Sequence, residues 1–141
     1  MNDRAFIDTN IFVCSFDARA AEKQQTAKKI IHDGLKYHNC FISYQVVQEF
    51  LNVASTKFET PLKTEDSRLY LNSVLTPLWR VYPSSELYTS ALEISDRYQY
   101  SFYDSLILAA ASEISADILY SEDFQHGQQI DSLTIVNPFR Q

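Results

Sequence analysis

Apolar residues recur along this chain at two different periods. Residues 4–8 (RAFID), 40–43 (CFIS), 79–83 (WRVYP), 116–121 (ADILYS) and 132–139 (SLTIVNPF) are short apolar runs rich in β-branched and aromatic side chains. Such runs predict five strands. Between them the spacing lengthens to that of helices. Ala20, Ala27, Ile30, Ile31 and Leu35 share one face over 18–38, with Asp17 offered as N-cap and Gly34 near the end. Val46, Val47, Phe50, Leu51 and Ala54 do the same over 44–56, where Ser43 can cap. A third helix is predicted over 64–78, with Glu65 and Asp66 in a first turn whose dipole favours them. A fourth follows Ser84 or Ser85 over 86–99. A fifth, over 102–115, carries the apolar block 106–111. Strands alternating with amphipathic helices indicate an α/β fold of three layers, α/β/α, around a central parallel sheet of about five strands. The consecutive helices on either side of Pro61, and again around Tyr100, add a helical hairpin or two.

Composition narrows this picture. The 141 residues suit one domain spanning 1–141, and 45% apolar residues with nine Phe and nine Tyr can fill its core. With two Gly and four Pro, no segment reads as a linker. No secretory signal or membrane span is apparent, so a soluble cytoplasmic protein is expected. Cys14 and Cys40 are then expected to be free thiols. The formal net charge of −6 argues against a protein that coats nucleic acid by charge attraction. It is no objection to acidic residues that bind cations.

One stretch breaks the pattern. FIDTNIFVCSF, residues 6–16, should be buried, yet Asp8, Thr9 and Asn10 stand within it. A bare carboxylate in such surroundings is costly unless something compensates. Ligands of parallel sheets bind at the carboxyl ends of the strands. Asp8 ends the first strand, Asp123 follows the fourth, Asp104 opens the fifth helix, and Glu49 lies about 9 Å into the helix after the second strand. Singly, each has a plain explanation: a turn cap for Asp8, a solvated face for Glu49, a dipole-favoured charge for Asp104, a solvated loop for Glu122 and Asp123. Together they place four carboxylates at one edge. Mutual repulsion there would be relieved by a divalent cation, and all-oxygen ligation suits Mg²⁺ or Mn²⁺ rather than zinc. Such a centre can activate water for phosphodiester cleavage.

FIDTN, QEF, YDSLILAAA and SEDF closed by TIVNPF, in this order over residues 5–139, resemble PIN-domain nucleases. The likeness is strongest to VapC-like toxin ribonucleases of bacterial toxin–antitoxin pairs. It implies that Asp8, Glu49, Asp104 and Asp123 are catalytic and metal-binding, with Asn10 and Ser121 supporting. It further implies a homodimer, an RNA substrate, and an antitoxin that occupies the active-site groove. Many members carry another acidic residue near the last aspartate, and Glu122 is the candidate here.

The expected chemistry is metal-dependent hydrolysis of an RNA phosphodiester, with no nucleophilic side chain and with Glu49 completing the metal shell or orienting the attacking water. His126 is a nearby alternative base, more readily a capping residue; His32 and His38 look structural. Lys23, Lys28, Lys29, Lys36, Lys57 and Lys63 could touch phosphates, and Tyr44, Tyr100, Phe102 and Tyr103 could stack on bases. A solvated helix face and simple packing are the plainer readings. A haloacid-dehalogenase-type phosphohydrolase would need Asp where Asn10 stands, and a receiver-like domain lacks its paired acids and late lysine. A PIN-like fold serving only as a binding module remains the non-enzymatic rival.

Overall fold

A computed structural model describes residues 3–140; residues 1, 2 and 141 of the expected single domain lie outside that range. The predicted strands form β1 (Ala5–Ile7), β2 (Cys40–Ser43), β3 (Trp79–Val81), β4 (Ile118–Tyr120) and β6 (Leu133–Val136). These five are mutually parallel. A two-residue strand, β5 (Gln129–Ile130), pairs antiparallel with β6. Among the described residues the sheet therefore has six strands, in the order β3-β2-β1-β4-β6-β5. It is mostly parallel, with one antiparallel edge hairpin that Asp131 turns at φ +54°.

β1 is the centre of this order. Phe6 lies opposite Phe41 on one side and Leu119 on the other, and Ala5, Phe6 and Ile7 are all buried. A strand buried on both faces reads as a continuous apolar run, which explains AFI. The sheet grows from β1 toward β2 and β3 on one side, and toward β4 and β6 on the other. The crevice between the ends of β1 and β4 is thus the switch point of the topology, where α/β sheets place their ligands.

The helices are α1 (Thr9–Cys14), α2 (Ala21–Tyr37), α3 (Tyr44–Thr56), α4 (Thr64–Tyr70), α5 (Thr76–Leu78), α6 (Ser85–Tyr98) and α7 (Phe102–Glu113). α7 is buried continuously from Ser105 to Ala111, so its apolar block has no polar face. Gly34 of α2 allows a close approach to β2. A Cβ built there would lie 2.6 Å from the Cys40 Cβ. Cys14 and Cys40 are both free, as expected.

Four expectations change in detail. The chain after β1 is not a continuing strand or a turn: it coils at once into α1, six residues whose Ile11 and Phe12 are wholly buried. α2 begins at Ala21 without a side-chain cap, and Asp17 instead accepts from the backbone N–H of Arg19 in the preceding turn. The helix predicted over 64–78 is broken by a π-helical segment, Leu71–Leu75, which separates α4 from α5. Ser43 stands at the N-cap of α3, but its hydroxyl makes no cap bond and is buried without a partner. Ser84 does cap α6, accepting from the Leu87 N–H at 3.1 Å.

Candidate active site

Asp8 sits where β1 hands over to α1. Its backbone N–H donates to the Tyr120 carbonyl at 3.0 Å, fastening the ends of β1 and β4 together. Its side chain is the N-cap of α1, Oδ1 accepting from the Thr9 N–H at 2.7 Å. Oδ2 accepts from Ser121 Oγ at 2.7 Å and from Asn10 Nδ2 at 3.4 Å. The residue is only 5% exposed. Burial pushes it up to about 7, against the pull of the Ser121 hydroxyl and the Thr9 N–H, and the charges of Asp123 and Glu49 raise it further. Donors already present therefore do not satisfy this charge.

The other half of the site is the segment after β4. Ser121 is fully buried, and its hydroxyl accepts from the Asp123 N–H at 3.1 Å while donating to Asp8. Asn10 Nδ2 reaches Ser121 Oγ at 3.2 Å and Asp123 Oδ2 at 2.9 Å, so one amide lies between the Asp8 and Asp123 carboxylates. Its Oδ1 accepts from the Glu122 N–H at 3.4 Å. Asn10 and Ser121 thus each hydrogen-bond to both Asp8 and Asp123.

Glu49 approaches from α3. Oε1 accepts from Thr9 Oγ1 at 2.6 Å, and Oε2 from Gln45 Nε2 at 3.2 Å. The same Gln45 amide donates to the Tyr103 carbonyl at 3.2 Å, tying α3 to the start of α7. Neither Thr9 nor Gln45 was singled out as a site residue. Gln45 precedes Glu49 by one helical turn, and that spacing was the available signal. Asp104 lies half-buried in the first turn of α7, its N–H donating to the Ser101 hydroxyl. Among the described residues it has no hydrogen bond to Asp8, Glu49 or Asp123. Its charge instead raises the Tyr100 phenol, second to burial. Asp8 and Asp123 are therefore bridged by Asn10 and Ser121, Glu49 is linked to Asp8 through Thr9, and Asp104 stands apart from this network.

Glu122 points away from its neighbours. Its Oε2 lies 2.8 Å from Lys23 Nζ on α2, and its Oε1 accepts from the Cys14 thiol at 3.5 Å. Burial and then the Glu122 charge push Cys14 up to about 11, so it remains a donor. His126 Nδ1 accepts from the Asn137 N–H at 3.0 Å. That ring nitrogen is therefore engaged by the backbone. Of the basic residues on α2, Lys23 is engaged by Glu122, Lys29 by Asp33 at 2.9 Å, and Lys36 lies over the Tyr37 ring. The aromatics divide as well. Tyr100 packs edge-on against Phe124, and Tyr44 is hydroxyl-bonded to Tyr88 at 3.1 Å, whereas Tyr103 is 68% exposed beside Asp104.

The donors available to a cation are carboxylate oxygens, the set that suits Mg²⁺ or Mn²⁺. The unmet charge of Asp8 between two further carboxylates fits such an ion. Their arrangement is looser than their chemistry: among the described residues no three His, Cys, Asp or Glu side chains are already disposed to hold a metal. Gln45 Oε1, Ser43 Oγ and Ser105 Oγ are buried with no protein partner, positions that ordered water commonly fills. A cavity of about 620 Å³ lined by Val13, Phe16, Arg19, Val53 and Phe58 touches none of the four carboxylates. No helix among the described residues is long and apolar enough to cross a membrane.

Comparison with solved structures gives the same architecture. A toxin–antitoxin complex from Klebsiella pneumoniae contains a chain that superposes with a TM-score of 0.69 at 19% identity, over 96% of this chain and 98% of that one. VapC20 of Mycobacterium tuberculosis, described as a Sarcin-Ricin loop cleaving toxin, superposes with a TM-score of 0.58 at 20% identity, over 84% and 89%. A chain of the FitAB complex bound to an IR36 DNA fragment superposes with a TM-score of 0.69 at 14% identity, over 97% and 96%. No curated protein matches the chain in sequence. At such identities these structures establish fold alone. The PIN domain model, however, matches residues 5–128, most of the sequence, and the chain belongs to the PIN domain family.

Proposed function

We propose that this PIN domain is a metal-dependent ribonuclease, the toxin of a cytoplasmic toxin–antitoxin pair. The observation that carries this reading is the Asp8 carboxylate, buried at the switch point of the sheet with Asp123 and Glu49 close enough to add to its burden. Asp8, Glu49, Asp104 and Asp123 would hold Mg²⁺ or Mn²⁺, which supplies Lewis-acid stabilisation of phosphate charge and a more acidic bound water. Ser121 and Asn10 orient Asp8 and Asp123. Thr9 and Gln45 fix both oxygens of Glu49, so that it can accept a hydrogen bond from the attacking water. No side chain acts as nucleophile. Toxin–antitoxin character draws support from the Klebsiella complex, and RNA as substrate from the description of VapC20. On this reading the protein is a homodimer, and an antitoxin covers the site when activity is unwanted.

One observation favours a non-catalytic RNA- or protein-binding role: Asn10 already bridges Asp8 and Asp123, and no ready-made metal triad exists among the described residues. Incubating purified protein with labelled total RNA separates the two. Cleavage that requires Mg²⁺ or Mn²⁺, stops with EDTA and is lost in Asp8→Asn supports the nuclease. Intact RNA under every condition supports the binding role. Cleavage that survives both EDTA and Asp8→Asn rejects this site.

A further inference from the structure

Glu122 lies between Ser121 and Asp123, yet it faces the opposite way. Its neighbours turn inward to Asp8 and Asn10, whereas its own two oxygens are taken by Lys23 and Cys14. Both oxygens are thus directed at Lys23 and Cys14, not at Asp8 or Asp123. The Lys23 ammonium is seated from its other side as well, 5.0 Å from the centre of the Phe139 ring. One side chain on α2 therefore joins three segments: the helix, the loop after β4, and the C-terminal stretch beyond β6.

The loop is thus gripped on two faces. From inside, Ser121 Oγ and Asn10 Oδ1 accept from the Asp123 and Glu122 N–H groups. From outside, the only ion pair that Glu122 makes among the described residues draws the loop toward α2. Asp123 is exposed and among the described residues its side chain has a single hydrogen bond, to Asn10, so its position depends on the backbone that carries it. Lys23 is 41% exposed and Glu122 27%, and a pair so open to solvent adds little to global stability. Its effect is local.

We propose that the Lys23–Glu122 pair is a strut that fixes the Asp123 loop from the side opposite the carboxylates, making Lys23 and Glu122 positioning residues for the metal site. The metal part of this inference rests on the function proposed above; the strut itself does not. Losing a partner that bonds a metal ligand directly commonly weakens metal affinity by about 10–100-fold, and this pair, which acts one residue away through the loop backbone, is assigned the lower end of that range.

Two readouts test it on the full chain. Amide exchange of Glu122 and Asp123 is followed by NMR in metal-free protein, and Mn²⁺ affinity by titration. Lys23→Met should speed exchange at both amides several-fold and weaken Mn²⁺ binding roughly tenfold. Lys23→Arg should restore both. Lys29→Met, which removes an exposed pair on the same helix, should change neither. Unchanged exchange in Lys23→Met overturns the strut whatever the metal does. Faster exchange with unaltered Mn²⁺ affinity overturns its role in positioning Asp123. A parent protein that binds no Mn²⁺, while Lys23→Met still loosens the loop, refutes the metal-dependent function and leaves the strut standing.

Discussion

Asp8→Asn should abolish metal-dependent cleavage and yet make the metal-free protein more stable at neutral and alkaline pH. In the folded chain the Asp8 carboxyl is pushed up to about 7, chiefly by burial, from an ordinary 3.8. Folding therefore favours the protonated form. The stability this confers is complete below about pH 4, declines as pH rises toward 7, and is gone above it. A gap of about 3 pH units at about 1.4 kcal/mol each means that the ionised carboxylate destabilises the metal-free fold by about 4 kcal/mol at pH 8, relative to a neutral group. The amide removes that penalty but not without loss. Its oxygen can still accept from Thr9, but its NH₂ then faces two donors, the Ser121 hydroxyl and the Asn10 amide, which each forfeit a bond worth about 1 kcal/mol. The variant should thus gain about 2 kcal/mol over the parent at pH 8, and be about 2 kcal/mol less stable at pH 4.

Urea unfolding in EDTA across pH 4–8.5 measures this directly, since groups elsewhere cancel in the difference between the two proteins. Stability curves that stay parallel over the whole range would refute the reasoning, as would a variant weaker than the parent at pH 8. Added Mg²⁺ should then stabilise the parent in proportion to the logarithm of its concentration and leave the variant nearly unmoved. A parent indifferent to Mg²⁺ would mean that the buried charge is not met by a cation.

Three further outcomes follow from neighbouring contacts. Asn10→Asp puts a charge where a donor now bridges two carboxylates, and should destabilise the metal-free protein by about 2–3 kcal/mol at pH 8 in urea melts, with Mg²⁺ recovering part of the loss. Gly34→Ala forces a methyl to within 2.6 Å of the Cys40 Cβ and should lower stability by about 1–3 kcal/mol, read as a fall in the urea midpoint. Ser84→Ala removes the cap of α6 and should lower stability by about 1 kcal/mol without altering RNA cleavage at a temperature where both proteins are folded.

The parallel strands and the long helices were legible because burial there is one-sided or complete over enough residues to leave a period. α1 was not. TNIFVC is six residues of largely β-branched and aromatic character, and with Ile11 and Phe12 wholly buried it displays no polar face to mark a helical turn. Its helicity depends on the Asp8 cap and on packing against α2 and α3. β5 is two residues long, too short for any alternation, and nothing in LNSVL marks the π-helical segment. In the candidate site, the positions of Asp8 and Asp123 were legible because strand ends fix them. Asp104 was placed at the correct helix terminus, but a helix start does not dictate where a side chain ends up. The Lys23–Glu122 pair spans 99 residues of sequence, and charge on an exposed helix face gives no hint of a partner so far away.

Asp8 serves two purposes that pull in opposite directions. As the N-cap of α1 it satisfies a backbone N–H that would otherwise be orphaned, and that task alone would be performed as well by Ser, Thr or Asn. Those neutral caps would spare the fold an ionised group in the interior. The carboxylate is therefore explained by something other than capping, and so are its surroundings. Ser121 and Asn10 each give it a donor, yet both also turn toward Asp123, holding a second negative group close instead of screening the first. A fold concerned with stability alone would place a lysine or arginine at this point. Here Lys23 of α2 is committed to Glu122 instead. Among the described residues the charge at the end of β1 has no ion-pair partner, while the groups around it are arranged to keep it ionisable and aimed. That combination is intelligible if the missing positive charge is supplied from outside the chain.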